Sequence, residues 1–177
     1  LAYDRCLAKP DPLWMAPVLA NRGNALARLG RVDEAAEAYR RAVEIEPSRS
    51  SHYANWSRLC LDAGRLDEAL RVCQDGLARS TTDLLHARLH GDMAFAYAES
   101  GDAESCLQSA DEAVRLDPSG IRERYLRGRA LALLGRLTEA RDVQRGILRD
   151  DATNADATRA LAMIERALRT SRPWWKF

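Results

Sequence analysis

A chain of 177 residues, 46% of them hydrophobic and 30% charged, can form one globular domain or a stack of short repeats. Its formal net charge of +1 provides no overall field that would attract nucleic acid or an anionic membrane. The chain contains no apolar run of about 18 residues that would predict a membrane span. It also lacks a glycine-rich phosphate loop and a nucleophile elbow, and we therefore predict no catalytic residues.

Residues 1–15 predict the second helix of a truncated preceding repeat, followed by a linker. The segment from Tyr3 to Ala8 has a helical pattern, and Pro10 and Pro12 then interrupt it. Because the chain begins inside this pattern without a Met, we expect it to be a piece of a longer protein.

Four similar segments follow, each centred on a glycine. Gly30, Gly64, Gly101 and Gly135 stand 34, 37 and 34 residues apart. A fixed period in this range is typical of a repeat solenoid, in which each unit buries its apolar face against its neighbours. Each glycine separates two helical stretches, as expected for a residue that ends a helix in the left-handed conformation. The predicted repeats are residues 16–49, residues 50–83, residues 84–120 with a three-residue insertion, and residues 121–154.

The end of the chain predicts a cap and a tail. Residues 155–170 indicate a C-terminal capping helix, because Leu161, Ile164 and Leu168 recur at helical spacing. Residues 171–177 form an aromatic tail, which is costly to expose. Three interpretations of the tail stay open: it folds back on the repeats, docks on another chain or begins a further domain.

Small residues recur at fixed places inside the predicted helices. One column contains Gly23, Ser57, Ala94 and Gly128. Small side chains let two antiparallel helices approach closely, and this contact would offset the cost of about 0.5–1 kcal/mol that a glycine imposes within a helix. We therefore expect close helix contacts at Gly23, Gly76, Gly128 and Gly146.

These features resemble the tetratricopeptide repeat family. The 34-residue period, the small-residue columns, Tyr39 in its aromatic place and Pro47 after a second helix match the family pattern over residues 16–154. The third repeat departs from the pattern by its insertion, and Gln144 stands where an aromatic residue is usual. The resemblance implies an all-α fold, a right-handed α-solenoid of helix-turn-helix repeats with a capping helix. It also implies that ligands bind in a concave groove lined by the first helix of each repeat.

The groove-facing residues of these first helices supply the candidate binding site. Asn21, Asn55 and Asp92 occupy equivalent places in successive repeats. Because an asparagine amide both donates and accepts hydrogen bonds, such a ladder would hold the backbone of an extended peptide. The alternative is that these amides bond within the scaffold or to water. The predicted peptide-binding groove comprises Asn21, Asn24, Asn55, Arg58, Arg88, Asp92, Arg122, Tyr125 and Arg129, and the same face carries Arg28 and Asp62.

The arginines of this set indicate the chemistry of a partner. Arg58, Arg88, Arg122 and Arg129 would attract acidic side chains, because a guanidinium pairs well with a carboxylate. The alternative is a solvated face in an arginine-rich protein, since 25 of the 27 basic residues are Arg.

A more specific resemblance covers only part of the groove. Co-chaperone adaptors of the family clamp a C-terminal carboxylate with five side chains from three repeats. Asn24, Asn55 and Arg88 match three of these places, whereas Ala20 and Asp92 depart from the other two. Because Asp92 would repel a carboxylate, we do not predict this clamp.

No cofactor or metal site is predicted. The four cysteines are not arranged in Cys-x-x-Cys pairs, and three of them fall in core columns, which is typical of a reducing compartment and predicts a cytoplasmic location. His86 and His90 stand one helical turn apart, a spacing that can hold zinc, but no third ligand is evident and we interpret them as a surface pair.

The sequence therefore predicts a non-catalytic scaffold that binds an extended segment of another protein, with acidic side chains favoured. One alternative is the substrate-recruiting arm of a larger enzyme that transfers glycosyl, sulfo or hydroxyl groups. Another is a homo-oligomer that assembles through the solenoid ends or through Trp174 and Trp175 of the tail. Nucleic acid and membranes are not expected partners.

Overall fold

The structure, a computed structural model, describes residues 12–79 and 82–170. These residues form nine α-helices and no strand, so the all-α prediction is confirmed for them. The predicted preceding helix and the aromatic tail at 171–177 lie outside the described residues. The helices are α1 (Pro12–Arg28), α2 (Val32–Ile45), α3 (Ser50–Asp62), α4 (Leu66–Arg79), α5 (Asp83–Ser100), α6 (Ala103–Leu116), α7 (Ile121–Leu133), α8 (Leu137–Asp150) and α9 (Ala155–Thr170).

The chain divides into two compact units, and the division falls between Asp92 and Met93, inside α5. Unit 1 contains α1 to α4 and the first part of α5, and unit 2 contains the rest of α5 and α6 to α9. In unit 1, α2 packs against both α1 and α3, and α3 packs against α4. In unit 2, α7 packs against α6 and α8, and α9 packs against α8 and α7.

A left-handed glycine stands in each turn that the sequence repeat marks. Gly30, Gly64, Gly101 and Gly135 have φ angles between 71° and 83°. A residue with a Cβ atom costs about 1–2 kcal/mol in this conformation. No neighbouring atom lies within 4 Å of the position that a Cβ would take at any of the four. Backbone conformation, and not close packing, therefore accounts for these glycines.

Close packing accounts for glycines inside the helices. A Cβ at Gly23 would lie 2.8 Å from the ring of Tyr39, and one at Gly76 would lie 2.8 Å from Cβ of Tyr53. A Cβ at Gly128 would collide with the amide of Gln144. The expectation of a helix contact was wrong for Gly146, where the nearest atom is the flexible Nη2 of Arg149 at 3.8 Å.

Each unit has its own apolar core. In unit 1, the ring of Tyr39 is 2% exposed and is surrounded by side chains from three helices. In unit 2, α9 contributes Ile164 to a core that is otherwise built from α5 to α8. The buried members of the unit 1 core are Leu19, Ala20, Leu26, Ala35, Ala38, Tyr39, Ala42 and Leu59. Those of unit 2 are Ala94, Ala98, Cys106, Leu107, Ala110, Leu126, Ala130, Leu131, Ala132, Ala140 and Ile164.

Gln144 introduces a polar group into the interior of unit 2. The residue occupies the place of Tyr39 in its repeat and is completely buried against Gly128. Neither Nε2 nor Oε1 of its amide makes a hydrogen bond with the described residues. An unsatisfied buried polar group costs about 1–3 kcal/mol, so Gln144 fills the space beside Gly128 at a cost in stability.

We expect Gln144→Met to raise the free energy of unfolding by about 1–3 kcal/mol, because the thioether fills a similar volume without an unpaired amide. Urea denaturation followed by circular dichroism measures the change. The matched control is Gln108→Met on the exposed face of α6, which we expect to change stability by less than about 0.5 kcal/mol. A loss of stability in Gln144→Met would contradict the assignment of the buried amide as unfavourable.

A buried histidine lies near the start of α3. His52 is 4% exposed, and its Nε2 makes no hydrogen bond with the described residues. The nearest carboxylate oxygen, Oε2 of Glu46, is 3.8 Å from Nε2. Burial lowers the pKa of His52, and the Glu46 carboxylate opposes this shift without cancelling it. The neutral imidazole is therefore the form that the fold accommodates.

The His52 environment predicts that stability falls as the pH decreases. An unfolded histidine takes up a proton near pH 6.5, whereas folded His52 does so at a lower pH, so the unfolded state binds more protons between the two values. We expect the free energy of unfolding to decrease as the pH falls from about 7 through 6.5 and below. In His52→Gln this slope should be smaller, as measured by urea denaturation across the pH range. Identical slopes in both proteins would contradict the prediction.

Candidate functional site

A pocket of about 590 Å³ opens in unit 1 between the ends of α1 and α3. We call it the unit 1 pocket. Its apolar lining includes Ala27, Val32 and Leu59. Tyr39 of α2 contributes one polar side chain, and the others lie about one helical turn apart on α1 and α3, because positions i and i+4 share a face of a helix. The polar side chains that line it are Asn24, Arg28, Tyr39, Asn55, Arg58 and Asp62.

The amide of Asn24 is oriented by a tyrosine of the core. Oη of Tyr39 donates a hydrogen bond to Oδ1 of Asn24 at 2.6 Å. Burial raises the pKa of Tyr39, so its hydroxyl remains protonated and keeps its role as a donor. With Oδ1 engaged, the NH₂ group of Asn24 is the part of the amide left to donate to another acceptor.

Asp92, a predicted groove residue, is completely buried on α5. Its carboxylate accepts a hydrogen bond from Oγ of Ser57 at 2.7 Å and one from Nη2 of Arg58 at 3.0 Å. The side chain of Arg58 remains 36% exposed. Asp92 therefore acts from beneath the surface, where it fixes the Arg58 guanidinium and compensates its charge.

The other predicted residues of unit 1 differ in their surroundings. Nη2 of Arg88 donates to Oδ1 of Asn55 at 3.5 Å, which is a long and weak hydrogen bond. Arg88 is exposed, and Asn55 is half-buried in the lining of the pocket. Asn21 is exposed on α1 but does not line the pocket. The structure thus brings Asn24, Asn55 and Arg58 together and leaves Asn21 apart from them.

Three predicted residues lie in unit 2. The guanidinium of Arg122 stacks over the ring of Phe95, with 5.5 Å between the Cζ atom and the ring centroid. Nη1 of Arg129 donates to Oε1 of Glu99 at 3.0 Å. Tyr125 is half-buried on α7.

The predicted arginines are consequently not a row of unpaired cations. Arg58 bonds Asp92, Arg129 bonds Glu99, and Arg122 stacks on Phe95. In contrast, Arg28 and Asp62 line the unit 1 pocket although neither belongs to the predicted site. Both lie one turn after a predicted residue, Asn24 and Arg58, so the i+4 spacing was the signal that could have included them.

The described residues show no reactive cysteine and no metal site. Burial raises the pKa of the Cys60 thiol to about 12 and that of the Cys106 thiol to about 11, and Cys73 is also buried and forms no disulfide. In the described part of the chain, no group of three His, Cys, Asp or Glu side chains could hold a metal ion. None of the helices seen there is both long and apolar enough to cross a membrane.

Comparison with protein families identifies the repeat. Models of the tetratricopeptide repeat match residues 16–49, 53–75 and 92–157. The chain belongs to the tetratricopeptide repeat family. This assignment agrees with the period, the turn glycines and the small-residue contacts, and repeats of this family serve as scaffolds that bind protein partners.

Curated relatives share part of the chain. The TPR repeat-containing thioredoxin TTL4 of Arabidopsis thaliana is 31% identical over 83 residues, which cover 47% of this chain and 12% of that protein. DnaJ homolog subfamily C member 7 of Homo sapiens is 26% identical over 185 residues, which cover 80% of this chain and 37% of that protein. The chain thus spans between about a tenth and two fifths of the length of these relatives.

Solved structures show the same fold. YrrB, described as a TPR protein with an unusual peptide-binding site, has a TM-score of 0.76 at 18% identity, with 99% of this chain and 88% of that chain covered. MamA has a TM-score of 0.77 at 14% identity, with coverages of 92% and 87%. The predicted fold class, an all-α solenoid of helix-turn-helix repeats, is therefore confirmed.

The buried carboxylate of Asp92 predicts that replacing Arg58 lowers the stability of the protein. We expect Arg58→Met to lower the free energy of unfolding by about 2 kcal/mol, because the buried Asp92 carboxylate would lose the hydrogen bond that Nη2 of Arg58 donates to it. Thermal or urea denaturation measures the loss. Arg88→Met removes only a long hydrogen bond at the surface and should cost less than about 1 kcal/mol. Equal losses in the two variants would contradict the role assigned to Asp92.

Proposed function

We propose that this protein is a non-catalytic scaffold that binds an extended segment of another polypeptide, and that the unit 1 pocket is a principal contact. The observation that carries the proposal is the convergence of the Asn24 and Asn55 amides in one pocket. The NH₂ groups of these two amides, whose Oδ1 atoms accept from Tyr39 and Arg88, can donate to the C=O groups of an extended peptide backbone, which lack partners of their own.

The Tyr39–Asn24 hydrogen bond supports this function. A side chain that is already oriented loses less conformational entropy when a ligand binds, and binding is correspondingly stronger. The peptide-binding site named for YrrB, a protein of the same fold, is also consistent with a peptide as the ligand.

Unit 2 supplies a second proposed contact. The stacked pair of Arg122 and Phe95, together with Tyr125, offers aromatic and cationic surface of the kind that is enriched where proteins bind each other. Arg129 shares its charge with Glu99, so acidic side chains of a partner would compete with an existing ion pair there. We retain a cytoplasmic location as part of the proposal, since Cys60, Cys73 and Cys106 are buried and form no disulfide, which is consistent with a reducing compartment.

A recruiting role within a larger protein is the second candidate. The observation that favours it is the small share of each curated relative that the chain spans, 12% of the thioredoxin and 37% of the DnaJ homolog. In this case the repeats would deliver a bound polypeptide to another domain, and the binding chemistry of the unit 1 pocket would be unchanged.

The proposed peptide binding predicts that replacing Asn55 weakens the affinity for a peptide. Peptides selected by the protein from a random library displayed on phage provide the ligand, and fluorescence anisotropy measures their affinity. We expect Asn55→Ala to weaken binding about tenfold, because a peptide group would lose its hydrogen-bonding partner inside the pocket. The matched control is Gln74→Ala on the exposed face of α4, outside the pocket lining, which should leave affinity unchanged. Equal affinities of wild type and Asn55→Ala would contradict a peptide site at this pocket.

A further inference from the structure

The charges that line the unit 1 pocket are not equivalent. Arg58 is compensated by Asp92, whereas Arg28 and Asp62 make no hydrogen bond or ion pair with any described residue, including each other. Arg28 and Asp62 are both exposed, so the folded protein does not bear the free-energy cost of burying either charge. The pocket therefore presents one uncompensated positive charge and one uncompensated negative charge.

The negative charge of Asp62 is unfavourable at the place that it occupies in α3. Asp62 is the last residue of α3, and no basic residue lies in the last turn of that helix. The C-terminal end of a helix carries a partial negative charge, which disfavours an anion and favours a cation. Arg28 at the end of α1 satisfies this preference and Asp62 opposes it. A positive group from a ligand beside Asp62 would relieve the repulsion.

We propose that the unit 1 pocket selects peptide segments that carry one acidic and one basic side chain. This inference rests on the proposed peptide-binding function. The acidic side chain binds Arg28, the basic side chain binds Asp62, and the backbone between them bonds the amides of Asn24 and Asn55. A segment with acidic side chains alone meets repulsion at Asp62, and one with basic side chains alone meets repulsion at Arg28, so opposite charges together give the best complementarity.

The experiment uses the strongest peptide selected by the full chain from a random phage library. Two further peptides are synthesised in which either the acidic or the basic residue is replaced by Gln. Their affinities are measured against wild type, Arg28→Gln and Asp62→Asn, which gives a double-mutant cycle for each proposed charge pair. The matched controls are Arg41→Gln and Asp67→Asn, two exposed residues outside the pocket lining.

We expect selected peptides to contain both signs of charge. Arg28→Gln should weaken the parent peptide about three- to fivefold and leave the affinity of the peptide without its acidic residue unchanged. Asp62→Asn should likewise weaken the parent peptide about three- to fivefold and leave the affinity of the peptide without its basic residue unchanged. The control variants should leave all three affinities unchanged.

Two results would overturn this inference while leaving the proposed function intact. One is selection of peptides with a single sign of charge, and the other is an absence of coupling at Arg28 and Asp62 when Asn55→Ala still weakens binding. Displacement of the peptide by millimolar free alanine would instead assign the pocket to a small zwitterion. If the wild-type chain selects no peptide at all, both the proposed function and this inference are wrong.

Discussion

The close approach of paired helices is the constraint on which the rest of this structure depends. Gly23 leaves room for the ring of Tyr39, and the same ring places its hydroxyl against Asn24 in the unit 1 pocket. A side chain larger than glycine at position 23 would therefore displace both a core residue and the group that orients an amide of the site. Packing and binding chemistry are linked through one tyrosine, whose ring belongs to the core and whose oxygen belongs to the pocket.

The fold could be predicted from the sequence because its signals are local and repeated. A glycine at the end of a helix and a small residue at a helix contact are each recognisable from their spacing, and four approximate copies reinforce one another. Gly146 shows the limit of this reasoning, since a helix contact is predicted there, yet no described residue of another helix lies within 4 Å of the position that its Cβ would take. Spacing identifies the face of a helix but does not show how near the next helix comes to it.

The candidate site was less predictable because its chemistry depends on contacts between distant positions. Asp92 occupies the place of Asn21 and Asn55 in its repeat, yet it is buried and bonds residues 34 and 35 positions earlier. In the sequence, acidic residues outnumber basic ones over residues 81–120, and basic residues outnumber acidic ones over residues 121–177. In unit 2, Arg127 binds Asp111 and Arg129 binds Glu99, so part of this charge is neutralised within the protein.

The four glycine turns have a practical consequence for work on this protein. Their backbone is held by helix ends, and the position that a Cβ would occupy has open space around it. Extra residues introduced at such turns would extend into solvent without displacing a core side chain. The turn at Gly135 thus offers a place, outside the lining of the unit 1 pocket, where a short epitope tag can be inserted beside the retained glycine without entering the packed interior.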